Sequence, residues 1–261
     1  MTTTNNNFRN NNFFDYGNYE KLEIIRNDFK NFYLSHENLF NGCLGLIFHA
    51  TVSNTSIDRN LQDWYQDKIR SNSTDDVSRT FKFFGEGQFW IPFFGITAGT
   101  YYVSSQLYEP FEVFGVVGDY SMRVIRSYLV GAPALLFFQS ALGCSRPDDK
   151  KYNSSWRFFR DDHSFSGHAF MGATPFLVGA SMTNRLGIRI ILFVCSTLAG
   201  LSRINDNKHY FSQVALGWCV SYLSVRAISL TNNAMNRNKT NIKIFPIVEP
   251  NYIGLGLVYK R

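Results

Sequence analysis

Five apolar stretches recur between residues 88 and 230, and they restrict the possible folds more than any other feature of the chain. They cover residues 88–105, 124–142, 169–182, 186–201 and 214–230. Each is near the length that crosses a bilayer as an α-helix, roughly 20 residues. None is strongly and continuously hydrophobic: Arg126 stands near the start of the second, Pro133 lies inside it, and Arg226 interrupts the fifth. The mean hydropathy of −0.15 leaves room for a soluble helical bundle as well. The pattern predicts an all-α fold, a bundle of about five to six core helices that spans a membrane.

The flanking segments differ in kind. Residues 1–19 are Asn-rich, without the basic start and apolar core of a secretory signal, and read as a disordered tail. Between residues 20 and 33, Leu22, Ile24, Ile25, Phe29 and Phe32 recur near helical spacing, which suits a surface or interfacial helix. The apolar run 39–52 is short for a full span. Residues 54–81 are polar, with a helix expected over 61–70 and an N-cap near Ser71 before a further short helix. Residues 232–261 form a C-terminal tail, partly extended around Pro246 and Pro250. The helical domain is then expected to occupy residues 20–231.

Charge and cysteine content exclude several classes. The net charge of +6 is compatible with anionic substrates or lipid headgroups, but no Lys/Arg run or motif points to nucleic acid. Cys43, Cys144, Cys195 and Cys219 are widely spaced with no Cys-x-x-Cys, which argues against a structural zinc site or a disulfide framework.

The chemistry concentrates between residues 139 and 213. Arg146-Pro147, then Ser166-Gly167-His168, then Ser202-Arg203 with His209 supply two guanidinium groups, two imidazoles and a Ser-Gly turn at expected helix ends. Guanidinium forks match phosphate oxygens, and N–H groups at a helix start favour the same anion. One imidazole that attacks and a second that protonates the leaving oxygen would complete a phosphoryl-transfer site.

These three segments resemble the signature motifs of the type-2 phosphatidic-acid phosphatase and vanadium haloperoxidase superfamily. That pattern runs Lys, six residues, Arg-Pro; then Pro-Ser-Gly-His; then Ser-Arg, five residues, His, three residues, Asp. Order and spacing match, while Gln139 replaces the Lys, Phe165 the Pro and Gln213 the Asp.

The resemblance implies a metal-independent phosphatase that uses no cofactor and works through a phosphohistidine. His209 would be the nucleophile and His168 the general acid and base, with Gln213 orienting His209 in place of the carboxylate. Arg146, Ser166, Gly167 and Arg203 would bind the phosphate, with Gln139 as a weaker ligand. Lys150, Lys151 or Arg160 could restore the charge that Gln139 lacks. The implied substrate is a lipid or polyprenyl phosphate or diphosphate. The active site would face the extracytoplasmic side, because Arg123, Arg126, Arg185, Arg189 and the basic stretch from Arg226 to Lys243 fall at the other ends of alternating helices. The alternatives are a soluble acid phosphatase and a pseudoenzyme that binds phosphate without turnover.

Overall fold

Among the described residues of a computed structural model (13–107, 112–149, 153–238, 241–249 and 252–260), the chain forms nine α-helices, two 3-10 turns and one hairpin. The helices are α1 (Asn18–Tyr33), α2 (His36–Ser53), α3 (Ile57–Lys68), α4 (Asn72–Lys82), α5 (Gly87–Leu107), α6 (Glu112–Leu142), α7 (Gly167–Met182), α8 (Leu186–Asn205) and α9 (Phe211–Asn238). Strands β1 (Asn241–Glu249) and β2 (Tyr252–Lys260) pair antiparallel, from Asn241 opposite Lys260 to Glu249 opposite Tyr252. All five apolar stretches are helical, as α5 to α9. Among the described residues, three segments are long and apolar enough to cross a membrane: Val113–Leu142, Leu186–Asn205 and Phe211–Met235.

The centre of the bundle is α7, whose Phe170, Ala173, Thr174, Leu177 and Val178 are all buried, with α6, α8 and α9 packed around it. Small residues let the neighbours come close at its N-terminal end. A Cβ on Gly217 would stand 2.3 Å from the Ser166 carbonyl oxygen, and one on Gly200 would stand 3.3 Å from the Ala169 Cβ. A side chain at either position would push α9 or α8 off the turn that carries Ser166-Gly167-His168.

The polarity of residues 54–81 has a physical cause. An α-helix ends with four carbonyls lacking intrahelical partners, and α8 ends inside the protein. Ser78 Oγ donates to the Ser202 carbonyl at 3.1 Å, Gln62 Nε2 to that of Ile204 at 3.0 Å, and Gln66 Nε2 to that of Asn205 at 3.3 Å. Buried Asp58 receives the Ser212 N–H at 3.0 Å and the Ser212 hydroxyl at 2.5 Å, closing the first turn of α9. Thus α3 and α4 cap the helix ends from which Arg203 and His209 project.

The described residues place several segments differently from their sequence reading. Within the tail expected at 1–19, residues 1–12 lie outside the described residues, but Phe13–Asp15 forms a 3-10 turn with Phe13 buried. The boundaries at 19 and 231 fall inside α1 and α9. Helix α6 begins at Glu112, well before the apolar run at 124. Arg123 and Arg126 are therefore not loop residues flanking a span. Arg123 pairs with Asp119 at 2.7 Å one turn away, and Arg126 is buried against the amphipathic α1. There its Nε and Nη2 donate to the Asp28 carboxylate at 2.7 and 2.8 Å, and Nη1 donates to Asn232 Oδ1 at 3.1 Å.

Candidate active site

The Ser166 hydroxyl accepts the Ala169 N–H at 3.2 Å as the N-cap of α7, which aims the helix start into the space between α6, α8 and α9. Its own N–H donates to the Gln213 carbonyl at 3.0 Å, tying the second motif to the third. The following residue, Gly167, carries no side chain to obstruct an anion at that helix start. His168 is held by the 3-10 turn Phe83–Gly85: a Cβ on Gly85 would lie 2.8 Å from the His168 Cβ and 2.9 Å from its carbonyl oxygen.

The third motif closes through a tight turn. The His209 and Lys208 N–H groups both donate to the Arg203 carbonyl, at 3.2 and 2.9 Å, while Asn207 takes a left-handed conformation (φ 57°). His209 is buried, and its Nδ1 lies 3.0 Å from Gln213 Oε1. Because that oxygen only accepts, Nδ1 carries the proton and Nε2 keeps its lone pair. Gln213 is itself fixed, receiving the Tyr210 N–H at 3.1 Å and donating from Nε2 to the Ser145 carbonyl at 2.8 Å. Gln213 therefore makes the orienting contact without supplying negative charge.

The two guanidinium groups are less satisfied. Among the described residues, Arg203 pairs with Asp206 at 3.4 Å from Nη1, and its buried Nε has no partner. The Nε of Arg146 is likewise buried and unpaired. An unpaired buried donor on a cation is costly, and two in one site mark a place for an anion. Lys208 bridges to Asp148 at 2.5 Å, clasping the loop after Arg146 to the turn before His209.

Burial pushes the His168 imidazole down to about 4, aided by the Arg203 charge, and pushes His209 down to about 3 against the opposing bond to Gln213. Both are neutral at pH 7. The sign for stability follows: the unfolded chain takes up these protons near the ordinary value of 6.5, before the folded protein does. Stability is therefore full above about 6.5 and falls as the pH drops toward 4. The unfolding midpoint in detergent should decrease over that window, and the decrease should flatten in His168→Asn; equal slopes for both proteins would contradict it.

Other residues fall outside the expected constellation. Gln139 directs its Nε2 to the Phe165 carbonyl at 2.8 Å, so its donor bonds the backbone that enters α7. Lys150 and Lys151 lie outside the described residues, and Arg160 is exposed. Cys144 is fully buried with its thiol pushed up to about 12 by that burial, which makes it unreactive. His163 and Asp161, in the loop between Arg146 and Ser166, are both partly buried, and the His163 ring lies 6.4 Å from that of His209. With Asp162 they bring ligand atoms within 4.8 Å of one another, a grouping that could hold a metal ion and that sequence spacing did not suggest. No short-range signal could have found the His163–His209 approach, which depends on how the loop folds back.

The helical bundle gathers two arginines, two neutral imidazoles and a helix start at one end, an arrangement with the chemistry to hold an anion. The chain belongs to the PAP2 superfamily, whose family model matches residues 88–237. No curated protein matches the sequence. Among solved structures, a transmembrane PAP2-type phosphatidylglycerolphosphate phosphatase from Bacillus subtilis has the same fold. The TM-score is 0.54 at 16% identity, with 77% of this chain and 96% of that chain covered.

Proposed function

We propose that the protein is a membrane phosphatase that hydrolyses a lipid or polyprenyl phosphate through a phosphohistidine on His209. The observation that carries this reading is the pair of buried, unpartnered Nε donors of Arg146 and Arg203 in a site with two neutral imidazoles. A phosphoryl group bound there receives hydrogen bonds from both arginines and from the N–H groups at the start of α7.

Nε2 of His209 attacks phosphorus and the bond to the ester oxygen breaks. His168 delivers a proton to that oxygen, so the alcohol leaves neutral. In the second half, His168 takes a proton from water as its oxygen attacks phosphorus, the P–N bond breaks, and inorganic phosphate leaves. The first half requires a protonated His168. Phosphate binding promotes this by offsetting the Arg203 and Arg146 charges, which act with burial to hold the imidazole neutral in the empty site. Gln213 keeps the His209 tautomer throughout, and its neutral amide leaves the imidazole a weaker base than a carboxylate would.

The three long apolar helices support a multi-pass membrane protein over a soluble acid phosphatase. The ends of α7 and α8 away from the motifs meet at Arg185 and Arg189. The positive-inside tendency then supports an extracytoplasmic site.

Phosphate release from p-nitrophenyl phosphate, phosphatidic acid and a polyprenyl diphosphate, in detergent with EDTA, tests the reading. Metal-independent release favouring the lipids is expected. Equal rates on all three would remove the lipid preference. No release with intact vanadate binding would make the protein a phosphate-binding member of the family.

A further inference from the structure

We infer that His49 is a positioning residue for the phosphate site: from α2 it pins the loop between Arg146 and Ser166, and so fixes where Arg146 and the start of α7 stand. The inference rests on the reading above that this site takes a phosphoryl group. His49 lies outside residues 88–237, the part of the chain that matches the family model.

His49 is fully buried near the C-terminal end of α2. The indole N–H of Trp156 donates to its Nδ1 at 2.8 Å, and the Ser53 hydroxyl lies 3.5 Å from the same atom. An indole can only donate, so Nδ1 accepts and the proton of the neutral ring is on Nε2. Burial pushes this imidazole down to about 4, so the neutral form persists at pH 7. Nε2 is buried and completes no hydrogen bond, although the Ser164 carbonyl attracts it. The end of α2 continues the clasp. The Ser154 hydroxyl donates to the Ser53 carbonyl at 3.0 Å, and the Trp156 N–H donates to Asn54 Oδ1 at 2.9 Å.

The pinned loop bears directly on the site. Past Trp156 it runs back beside the segment that leads to Arg146. The Arg157 N–H donates to the Leu142 carbonyl at 2.9 Å, that of Phe159 to Ser140 at 3.1 Å and that of His163 to Cys144 at 3.3 Å. Next comes Ser145, whose carbonyl holds the Gln213 amide, and then Arg146 with its buried, unpaired Nε. On the other side of the loop, the buried Phe165 ring stacks on Phe138 (centroids 5.7 Å, planes at 15°) and approaches the His49 ring at 6.3 Å. Position 165 is where the resembled motif has proline, whose own ring fixes φ. Phenylalanine has no such restraint, so ring packing must hold the chain that enters Ser166-Gly167-His168. Without the acceptor on His49, the indole donor has to find another partner, and the loop shifts with it.

The test measures orthovanadate affinity of the full-length protein in detergent micelles, which needs no turnover. H49L deletes the acceptor and should weaken binding about 10–100-fold, the scale of a misplacement of about 1 Å. H49N keeps an oxygen near the place of Nδ1 and should restore most of the affinity. W156F should reproduce the loss, and adding H49L to it should cost little more, because the same bond is already gone. Adding H49L to R146A should also cost less than it does in the wild type, since the guanidinium it positions is absent. The control Asp28→Asn, destabilised at the contact between α1 and α6, should keep vanadate affinity, which separates positioning from lost stability. Unchanged affinity in H49L overturns the inference, and so do equal losses in H49L and H49N or full additivity with R146A. If H49L does not fold, W156F and H49N carry the test: unchanged affinity in W156F, or a loss in H49N as large as its own, overturns the inference. A wild type that binds vanadate without turnover sinks the phosphatase reading alone; one that binds no vanadate sinks both.

Discussion

Replacing His209 with alanine is expected to lower kcat by about four orders of magnitude or more, because the atom proposed to attack is then absent. Vanadate affinity should change far less, since Arg146, Arg203 and the start of α7 remain. A wild-type sample quenched during turnover of labelled substrate should carry acid-labile, base-stable phosphate on His209, and the variant should carry none. His168→Ala gives the complementary result. Attack can still occur with an activated leaving group such as p-nitrophenolate, but hydrolysis of the intermediate slows, so label accumulates. An alanine variant at 209 that keeps wild-type turnover would remove the phosphohistidine route.

Removing the carboxylate of Asp28 is expected to be the most destabilising single change away from the site, by about 3–5 kcal/mol. Arg126 is 2% exposed and Asp28 is fully buried, so Asp28→Ala leaves a desolvated guanidinium facing the Asn232 oxygen and the Phe13 ring. The double variant Asp28→Leu/Arg126→Met should recover most of the loss, because paired apolar replacement of a buried ion pair is close to neutral. Thermal unfolding in detergent measures both. A loss below about 1 kcal/mol, the worth of an exposed pair, would mean that the contact between α1 and α6 is solvated. Phosphate release by the residual folded protein should hardly change, since Arg126 lies 16 residues before the end of α6, about 24 Å along the helix.

The difference between these two sites shows which parts of the molecule local sequence could specify. Ser166 caps α7 because a hydroxyl at that position meets the N–H three residues on, and His209 meets Gln213 because residues four apart share a helix face. The five apolar stretches became helices for an equally local reason, since a backbone in an apolar setting must satisfy its own hydrogen bonds. These features have their cause within one or two turns of chain, and they are where the sequence reading and the structure coincide.

The features that the sequence did not disclose join residues far apart. Asp28 meets Arg126 across 98 positions and Asp58 meets Ser212 across 154. Single buried contacts of this kind leave no periodicity, and Arg126 looked like a flanking charge because its partner lay in another helix. The same holds for residues 54–81, whose polar side chains cap the ends of α8 and α9. At the site, the sequence alone determined which residue types stand in the three motifs and in what order. Tertiary packing decided that the Gln139 amide bonds the chain entering α7, and that the His163 ring approaches that of His209. A side chain's chemistry is set by its covalent structure, but its charge environment and its partners are set by what the folded chain brings within a few ångströms of it.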